Sequence, residues 1–324
     1  MQGWARAAIA TALFVGFGAA QPLARADDYP ARPVRMVVGF GPGAVADVIA
    51  RAMAVRMSQS IGQQIVIENR PGAGSSLGAE YVARAPKDGY TLFMGSVAVI
   101  INGLIQPDLK VNFANDFVPI TLVTGSGNIL VVHPSTGVTN VRELIALAKT
   151  KPGQLNFGSS GFGTSPHLTG ELFIIMADTK IVSVHYPGSA QALTDLLAGR
   201  IQIMFSPAST VLPQAETGAI RAIATSEDKR TASAPNLPTI AESGLPGFNT
   251  SLWFGFVAPA GTPRPIIDKL AAAFNEALKN EEVVKPLRAA GLDIKGGTPD
   301  EFAAYIASET KKWDGVVNAA GLRK

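Results

Sequence analysis

Short apolar segments alternate with helical patterns along most of this chain, and that alternation restricts the fold more than any other feature. The apolar segments run to glycine-, serine- and proline-rich turns, as strands of an α/β protein do. The predicted strands are residues 34–38, 64–68, 91–94, 118–123, 129–132, 156–158, 181–185, 201–205, 222–225 and 251–258. Strands alternating with helices predict parallel sheets flanked by helices, hence an α/β fold.

Helical patterns occupy residues 46–61, 75–84, 141–149, 166–176 and 190–198, and three more follow near 265–278, 281–290 and 298–320. Asn140 with Glu143 makes a capping-box pattern, and Thr298 opens the last helix. A helical tail without its own sheet is expected to pack back on the first domain. We therefore predict a discontinuous domain 1 (27–124 and 249–324), a domain 2 (125–248) and two chain crossings, near 122–127 and 248–254.

Residues 1–26 have the pattern of a secretory signal peptide. Arg6 supplies a positive charge, residues 7–20 are apolar, and Ala24-Arg25-Ala26 is an A-x-A cleavage pattern. The apolar stretch is shorter than the roughly 20 residues that span a bilayer, although a membrane anchor is the alternative. Cleavage after Ala26 predicts a periplasmic protein.

Charge and cysteine content narrow the class of function. Removing Arg6 and Arg25 lowers the formal charge from +3 to +1, which gives little support to nucleic-acid binding. The chain has no cysteine, which excludes disulfides, thiolate metal sites and a cysteine nucleophile. Since no His, Asp or Glu cluster has metal-ligand spacing either, we expect no metal. We also expect no cofactor, and a monomer.

The first strand runs into a glycine-rich loop, Gly39 to Ala44, followed by Asp47 and a helix. Consecutive amides near a helix N-terminus favour an anion, so the loop is a candidate carboxylate cradle. The loop also matches G-x-G-x-x-A, the dinucleotide fingerprint, but Pro42 removes a donor and Glu68 comes late for the ribose-binding acid. A simple tight turn is the third interpretation. For Asp47 itself, capping the helix is the alternative to contacting the ligand, since aspartate is a preferred N-cap residue.

A second glycine-rich turn, residues 71–76, follows the second strand and opens another helix. Residues 74–78 match G-x-S-x-G, which makes a serine hydrolase using Ser76 an alternative function. The only histidines are His133, His167 and His185, all in the other predicted domain, which counts against this alternative. The simpler interpretation is a helix start that presents amides and serine hydroxyls.

Loops after the strands of the predicted second domain are also rich in hydroxyls and amides and poor in charge. Ligands of open α/β sheets bind beyond the carboxyl ends of strands. His167, just inside a helix, is interpreted as a capping or packing residue. The predicted ligand-binding residues of both domains are Phe40, Gly41, Pro42, Gly43, Ala44, Asp47, Gly74, Ser75, Ser76, Ser96, Ser159, Ser160, Thr164, Ser165, Tyr186, Gly188, Phe205 and Ser206.

Several phrases, in order along the mature chain, are together similar to one family. They include residues 68–74 (ENRPGAG), 88–92 (DGYTL), 158–161 (GSSG), 193–199 (LTDLLAG) and 258–263 (APAGTP). The chain resembles the Bug-type receptors, the periplasmic solute-binding components of tripartite tricarboxylate transporters. The resemblance implies a type II periplasmic-binding-protein fold, membrane transporter subunits as partners, and a carboxylate held by backbone amides and water between loops 40–47 and 72–77. Loops 159–165, 186–189 and 205–206 would read the rest of the ligand.

Two positions depart from the family pattern. Ala44 stands where a second glycine is usual, and Ser206 followed by Pro207 stands where many members have an acidic residue. Without that acid, the ammonium of an amino-acid ligand lacks a charge-assisted partner. We therefore expect a non-amino mono- or dicarboxylate, aliphatic or aromatic, captured for uptake. A ligand-sensing role without transport is the alternative.

Overall fold

The computed structural model describes residues 29–106 and 108–323, so the expected signal peptide lies outside the described residues. In chain order the strands are β1 (Val34–Val38), β2 (Ile65–Asn69), β3 (Thr91–Ser96), β4 (Phe117–Ser126), β5 (Asn128–Val132), β6 (Asn156–Ser159), β7 (Val182–His185), β8 (Ile203–Pro207), β9 (Arg221–Thr225), β10 (Leu252–Pro259) and β11 (Asp293–Ile294). The helices are α1 (Val45–Ile61), α2 (Ser76–Ala83), α3 (Val97–Ile105), α4 (Phe113–Asp116), α5 (Val141–Thr150), α6 (Ser165–Ala177), α7 (Ser189–Leu197), α8 (Ala208–Glu216), α9 (Arg264–Ala277), α10 (Glu281–Ala289) and α11 (Pro299–Ala319).

Two mixed sheets form the centres of two α/β domains, in the orders β11-β4-β10-β3-β1-β2 and β7-β6-β8-β5-β9. In the first, β1 is parallel to β2 and β3, whereas β10 is antiparallel to β3 and β4. In the second, β6 is parallel to β7 and β8, whereas β5 is antiparallel to β8 and β9. The expectation of parallel sheets is therefore only partly correct, because each sheet combines parallel and antiparallel pairs. Both β5 and β10 enter their sheets directly from the other domain, without the crossover helix that parallel pairing requires.

The predicted strands and helices are all present, with ends displaced by a few residues, but α3, α4, α8 and β11 were not expected. The α3 sequence is rich in valine and isoleucine, which favour strands, so its pattern does not indicate a helix. Pro213 lies inside α8, where a proline normally interrupts the helical pattern. No helix in the described part of the chain is long and apolar enough to cross a bilayer.

Helices cover both faces of the first sheet. α1, α9 and α10 contribute to the core on one face, and α2, α3 and α11 to the core on the other. The buried carboxylate of Glu309 on α11 accepts hydrogen bonds from the indole N–H groups of Trp253 and Trp313, each at 3.0 Å, and pairs with Lys312. These contacts attach the C-terminal helix to β10, beside the passage to the second domain.

The chain passes between the sheets twice, and hydrogen bonds join the two passages. β4 continues into β5 through Gly127, and the return segment enters β10 after Thr250. The Asn128 N–H donates to Ser226 Oγ at 2.8 Å, and that hydroxyl donates to the Thr250 carbonyl at 2.8 Å. The two passages are thus held side by side.

A buried carboxylate lies at the same passages. Glu227 accepts a hydrogen bond from the Ser251 hydroxyl at 2.8 Å, and its carboxylate lies 3.5 Å from the Lys295 ammonium. Burial raises the pKa of Glu227, since the single cationic partner does not fully replace the lost hydration.

Candidate ligand-binding site

A cleft of about 280 Å³ lies between the two domains, and the loops after β1, β3 and β6 lead to it. Residues of both domains line it: Phe40, Ala44, Val45, Ala46, Gly74, Ser96, Val97, Ala98, Asn102, Ser160, Phe162, Gly163, Thr164, Ser165, Pro166, Pro207, Leu252 and Phe254. Two larger hollows, of about 470 and 650 Å³, are lined by first-domain residues alone. We take the interdomain cleft as the candidate site because ligands of α/β sheets bind beyond the carboxyl ends of strands.

Three helices begin at the wall of this cleft. Residues 44–46 start α1, residues 96–98 start α3, and residues 164–166 start α6. The first amides of a helix lack partners within the helix and carry the positive end of its dipole. None of the described residues that line the cleft has a charged side chain. The cleft therefore presents backbone amides, rather than a cationic group, to a bound anion.

Ser96 adds a hydroxyl to these amides. It is the N-cap residue of α3, it is fully buried, and its Oγ has no hydrogen-bond partner among the described residues. An unpaired buried hydroxyl costs free energy that a ligand oxygen can recover. The hydroxyls of Ser75, Ser76 and Ser206 are likewise buried and unpaired, but they do not line the cleft.

Asp47 holds the first glycine-rich loop against α1. It lies inside the first turn of α1 rather than at the N-cap, which is Ala44. Its carboxylate accepts hydrogen bonds from the Gly43 N–H, Arg51 Nε and Asn69 Nδ2, each at 2.9 Å. The hydrogen bond from Arg51 is the main cause that lowers the pKa of Asp47 to about 2. The protein itself thus satisfies this carboxylate, and a ligand contact by Asp47 stays a prediction.

The second glycine-rich turn packs directly on the first. A Cβ atom at Gly39 would overlap the Ser75 hydroxyl, so the two loops approach as closely as glycine permits. Ala73 and Ser75 both have positive φ, of 45° and 81°. Asn102 on α3 donates to the carbonyl of Gly74 at 3.0 Å, which fixes the turn against the cleft.

In the second domain, several predicted hydroxyls are occupied by protein partners. Ser159 Oγ lies 3.0 Å from His185 Nδ1, and Tyr186 donates to the Asp195 carboxylate at 2.9 Å. Burial is the main cause that raises the pKa of Tyr186 to about 12. Neither Ser159 nor Tyr186 lines the cleft.

His167 is buried behind the second-domain loop that leads into α6. Its Nδ1 accepts a hydrogen bond from the Gly163 N–H at 3.0 Å, and its Nε2 lies 3.4 Å from a Glu171 oxygen. Its ring contacts Phe162 and His185, with centroids 5.1 and 4.5 Å away. These contacts agree with the packing interpretation, in which His167 shapes the loop.

The structure brings part of the predicted residue set to the cleft. Phe40, Ala44, Gly74, Ser96, Ser160, Thr164 and Ser165 line it. Phe205 is buried in the second-domain core against Phe157 and Phe173. The others that do not line the cleft are Gly41, Pro42, Gly43, Asp47, Ser75, Ser76, Ser159, Tyr186, Gly188 and Ser206. Their ligand contacts stay predictions.

Several lining residues were not predicted. Val97, Ala98 and Asn102 belong to α3, whose helical character the sequence conceals. Leu252 and Phe254 lie two residues apart on β10, and residues at this spacing share one face of a strand. Combined with the predicted crossing near 248–254, that spacing could have placed both at the cleft.

The arrangement around Ser76 does not favour hydrolysis. Its hydroxyl is fully buried and has no hydrogen-bond partner among the described residues. His133 pairs with Ser135, and His185 pairs with Ser159. A serine nucleophile needs a base within hydrogen-bond reach, and no described histidine is bonded to Ser76.

Comparison with known proteins identifies the family. The family model described as tripartite tricarboxylate transporter family receptor matches residues 49–322. Protein BugT of Bordetella pertussis is 37% identical over 308 residues, covering 94% of this chain and 94% of that protein. These matches confirm the resemblance to Bug-type receptors, which are binding proteins and not enzymes.

Two solved structures are similar along nearly their whole length. R. palustris Rpa4515 with adipate is 37% identical, with a TM-score of 0.75 and coverage of 91% of this chain and 99% of that chain. MatC (Rpa3494) from Rhodopseudomonas palustris with bound malate is 30% identical, with a TM-score of 0.72 and coverage of 89% and 100%. The two α/β domains here have the type II periplasmic-binding-protein architecture. The chain belongs to the tripartite tricarboxylate transporter receptor family.

Proposed function

We propose that this protein captures a small carboxylate outside the cytoplasm and delivers it to the membrane subunits of a tripartite tricarboxylate-type transporter. The observation that carries the proposal is the uncharged cleft at which α1 and α3 begin and Ser96 lies unpaired. Helix amides and a free hydroxyl stabilise a carboxylate without a cationic side chain. The similar R. palustris proteins with adipate and malate support the same ligand chemistry.

The ligand is proposed to lack an amino group. An ammonium inside the cleft would need an acidic partner, and none of the described lining residues is acidic. Ser206 and Pro207 end β8 where many family members carry an acid, and Asp47 is already bonded to three protein donors. Tight calorimetric binding of aspartate or glutamate, with none of simple carboxylates, would contradict this part.

Export, domain division and oligomeric state belong to the same proposal. Residues 1–26 would be cleaved after Ala26, which agrees with membership in a family of periplasmic receptors. Domain 1 would comprise residues 27–124 and 249–324, and domain 2 residues 125–248, closing on the ligand as a monomer. Mass spectrometry of the exported protein tests the cleavage site, since cleavage predicts a chain that begins at Asp27.

The carboxylate site is tested by titrating the mature protein with a panel of carboxylates in a calorimeter. For the carboxylate that binds, Ser96→Ala is expected to raise Kd about tenfold or more, because a hydrogen bond to a charged group is lost. Ser183→Ala is the matched control, since Ser183 also has an unpaired buried hydroxyl but lies on β7, away from the cleft. Equal affinity of the two variants, or no binding of any carboxylate, would contradict the proposal.

Deleting the protein from cells distinguishes a role in transport from a role in sensing. Delivery to a transporter predicts that deletion abolishes uptake of the radiolabelled carboxylate, and that Ser96→Ala reduces it. Unchanged uptake together with altered gene expression would instead indicate the sensing role.

A further inference from the structure

Hydrogen-bond donors are concentrated on the first-domain wall of the cleft. The opening residues of α1 and of α3 each present amides that have no partner within their helix. Ser96, the last residue of β3 and the N-cap of α3, adds a hydroxyl that is unpaired among the described residues. A carboxylate on this side therefore finds several donors that the protein leaves unused.

The second-domain wall has mostly used its donors. The Gly163 N–H donates to His167 Nδ1 at 3.0 Å, and the Thr164 N–H and hydroxyl both donate to the Gly161 carbonyl, at 3.4 and 2.7 Å. Pro166 and Pro207 line the cleft and have no N–H to offer. Although α6 also begins here, it presents far fewer donors than α1 or α3.

The Ser160 hydroxyl on this wall is engaged as a donor, whereas the Ser165 hydroxyl is engaged as an acceptor and keeps its own proton. Ser160 donates to Thr164 Oγ1 at 3.4 Å, and Ser165 accepts from Asn128 Nδ2 at 3.1 Å. None of the described lining residues has a cationic side chain that could compensate for missing hydrogen-bond donors. Apart from the Ser165 hydroxyl, a second carboxylate placed against this wall would find few donors to replace its lost hydration.

Apolar side chains fill the space between the two walls. Phe40 and Phe254 meet edge to face on the first-domain side, with ring centroids 6.4 Å apart, and Leu252 lies beside them. On the other side Phe162 is 45% exposed, and its ring rests on His167 and His185. A large aromatic side chain held at a cleft in this way suits contact with an apolar ligand surface.

We infer that the ligand is a monocarboxylate with an apolar body. Its carboxylate binds at the starts of α1 and α3 and at Ser96, and its body lies among Phe40, Phe254 and Phe162. This inference rests on the proposed function and narrows its ligand class. It differs from the structurally similar proteins, which contain the dicarboxylates adipate and malate. The uneven distribution of donors across the cleft is the feature that selects one carboxylate over two.

Matched ligand pairs test the inference. Hexanoate and adipate share a six-carbon chain, and benzoate and terephthalate share a ring, so each pair differs by one carboxylate. Calorimetry on the mature protein is expected to give at least one monocarboxylate a Kd at least tenfold lower than that of its dicarboxylate partner. Malate, which adds a hydroxyl and has little apolar surface, is expected to bind more weakly still.

A variant pair tests where the body binds. Phe162→Ala is expected to raise Kd for the favoured monocarboxylate about tenfold, because the apolar contact is lost. Ile175→Ala is the control, since Ile175 is a 38% exposed side chain on α6 that does not line the cleft. Both side chains are substantially exposed, so neither change should prevent folding.

The outcomes separate this inference from the function on which it rests. If adipate, terephthalate or malate binds as tightly as the monocarboxylates and Ser96→Ala weakens that binding, the carboxylate receptor stands and the monocarboxylate inference is overturned. If Phe162→Ala and Ile175→Ala bind alike, the assigned position of the apolar body is overturned. If no carboxylate binds the wild-type protein, both the function and the inference fail.

Discussion

Asp47 is a buried carboxylate whose charge is satisfied by the protein rather than left for a ligand. Its three donors hold the first glycine-rich loop, the end of β2 and α1 together. Hydrogen bonding to Arg51 and other donors lowers its pKa from 3.8 to about 2. A lowered pKa in the folded state stabilises the protein above pH 3.8, and that stabilisation is lost as the pH falls towards 2.

We expect Asp47→Asn to lower the free energy of unfolding at pH 7 by about 1–3 kcal/mol, because a buried charge-assisted hydrogen bond is weakened. The loss should shrink between pH 4 and pH 2, where the wild-type carboxylate becomes protonated. Urea unfolding at several pH values measures both effects. Asp268→Asn is the control, since it disrupts an exposed Arg264 pair at 2.8 Å and should change stability by less than about 0.5 kcal/mol. Equal losses for the two variants would contradict the role given to Asp47.

At the scale of single residues, the sequence predicts which loops form the site better than it predicts the side-chain contacts within them. Glycine and serine beside a strand end mark the loops at Phe40 and Gly74, because backbone amides need no particular side chain. The bond between Asp47 and Asn69 depends on the parallel register that sets Val38 opposite Asn69. Local sequence does not contain that register, so the engagement of Asp47 could not be predicted.

Among the elements, the two glycine-rich loops act as one unit because Gly39 and Ser75 are in direct contact. We expect Gly39→Ala to displace the second loop and raise the Kd of the ligand about tenfold, with an overpacking cost of about 1–3 kcal/mol in stability. Gly315→Ala on α11 is the control, since a Cβ there meets no atom within 4 Å and the residue does not line the cleft. Calorimetry and thermal unfolding of both variants provide the measurement. Indistinguishable variants would show that the loops move independently.

The sequence predicts elements where local pattern and tertiary packing agree. The α1 and α11 helices carry clear start signals or long helical patterns and appear where expected. The α3 helix does not, since Val97, Val99, Ile100 and Ile101 favour a strand, and burial against α11 decides its conformation. Because the sequence does not predict α3, it also does not predict Val97, Ala98 and Asn102 at the cleft.

For the whole molecule, the alternation of strands and helices predicts two α/β units but not the direction of every strand. The sheets are mixed because β5 and β10 each arrive directly from the other domain. Strand direction there depends on where the chain enters, which no periodicity records. The helical tail and the chain crossings predict the division into two domains, and the family resemblance, carried by phrases spread over the mature chain, adds the type II periplasmic-binding-protein architecture.

Glu227 makes the stability of the two passages between the domains depend on pH. Because burial raises its pKa above the ordinary 4.5, its contribution to stability is fully present below pH 4.5 and is lost as the pH rises through the folded-state pKa. The ionised carboxylate must then be held in a site where Ser251 and Lys295 only partly replace water.

We expect Glu227→Gln, which cannot ionise, to be more stable than the wild type at pH 8, because the neutral amide avoids the cost of burying a charge that raises the pKa of Glu227. The difference should shrink as the pH falls to 4.5 and below, because the wild-type carboxyl group becomes protonated in the folded state. Chemical unfolding at the two pH values measures it, with Glu242→Gln as an exposed control whose pKa is lowered and whose effect should have the opposite sign. A Glu227→Gln protein that is less stable than wild type at pH 8 would show that the attraction to Lys295 outweighs the cost of burying the charge, and that this ion pair holds the passages together.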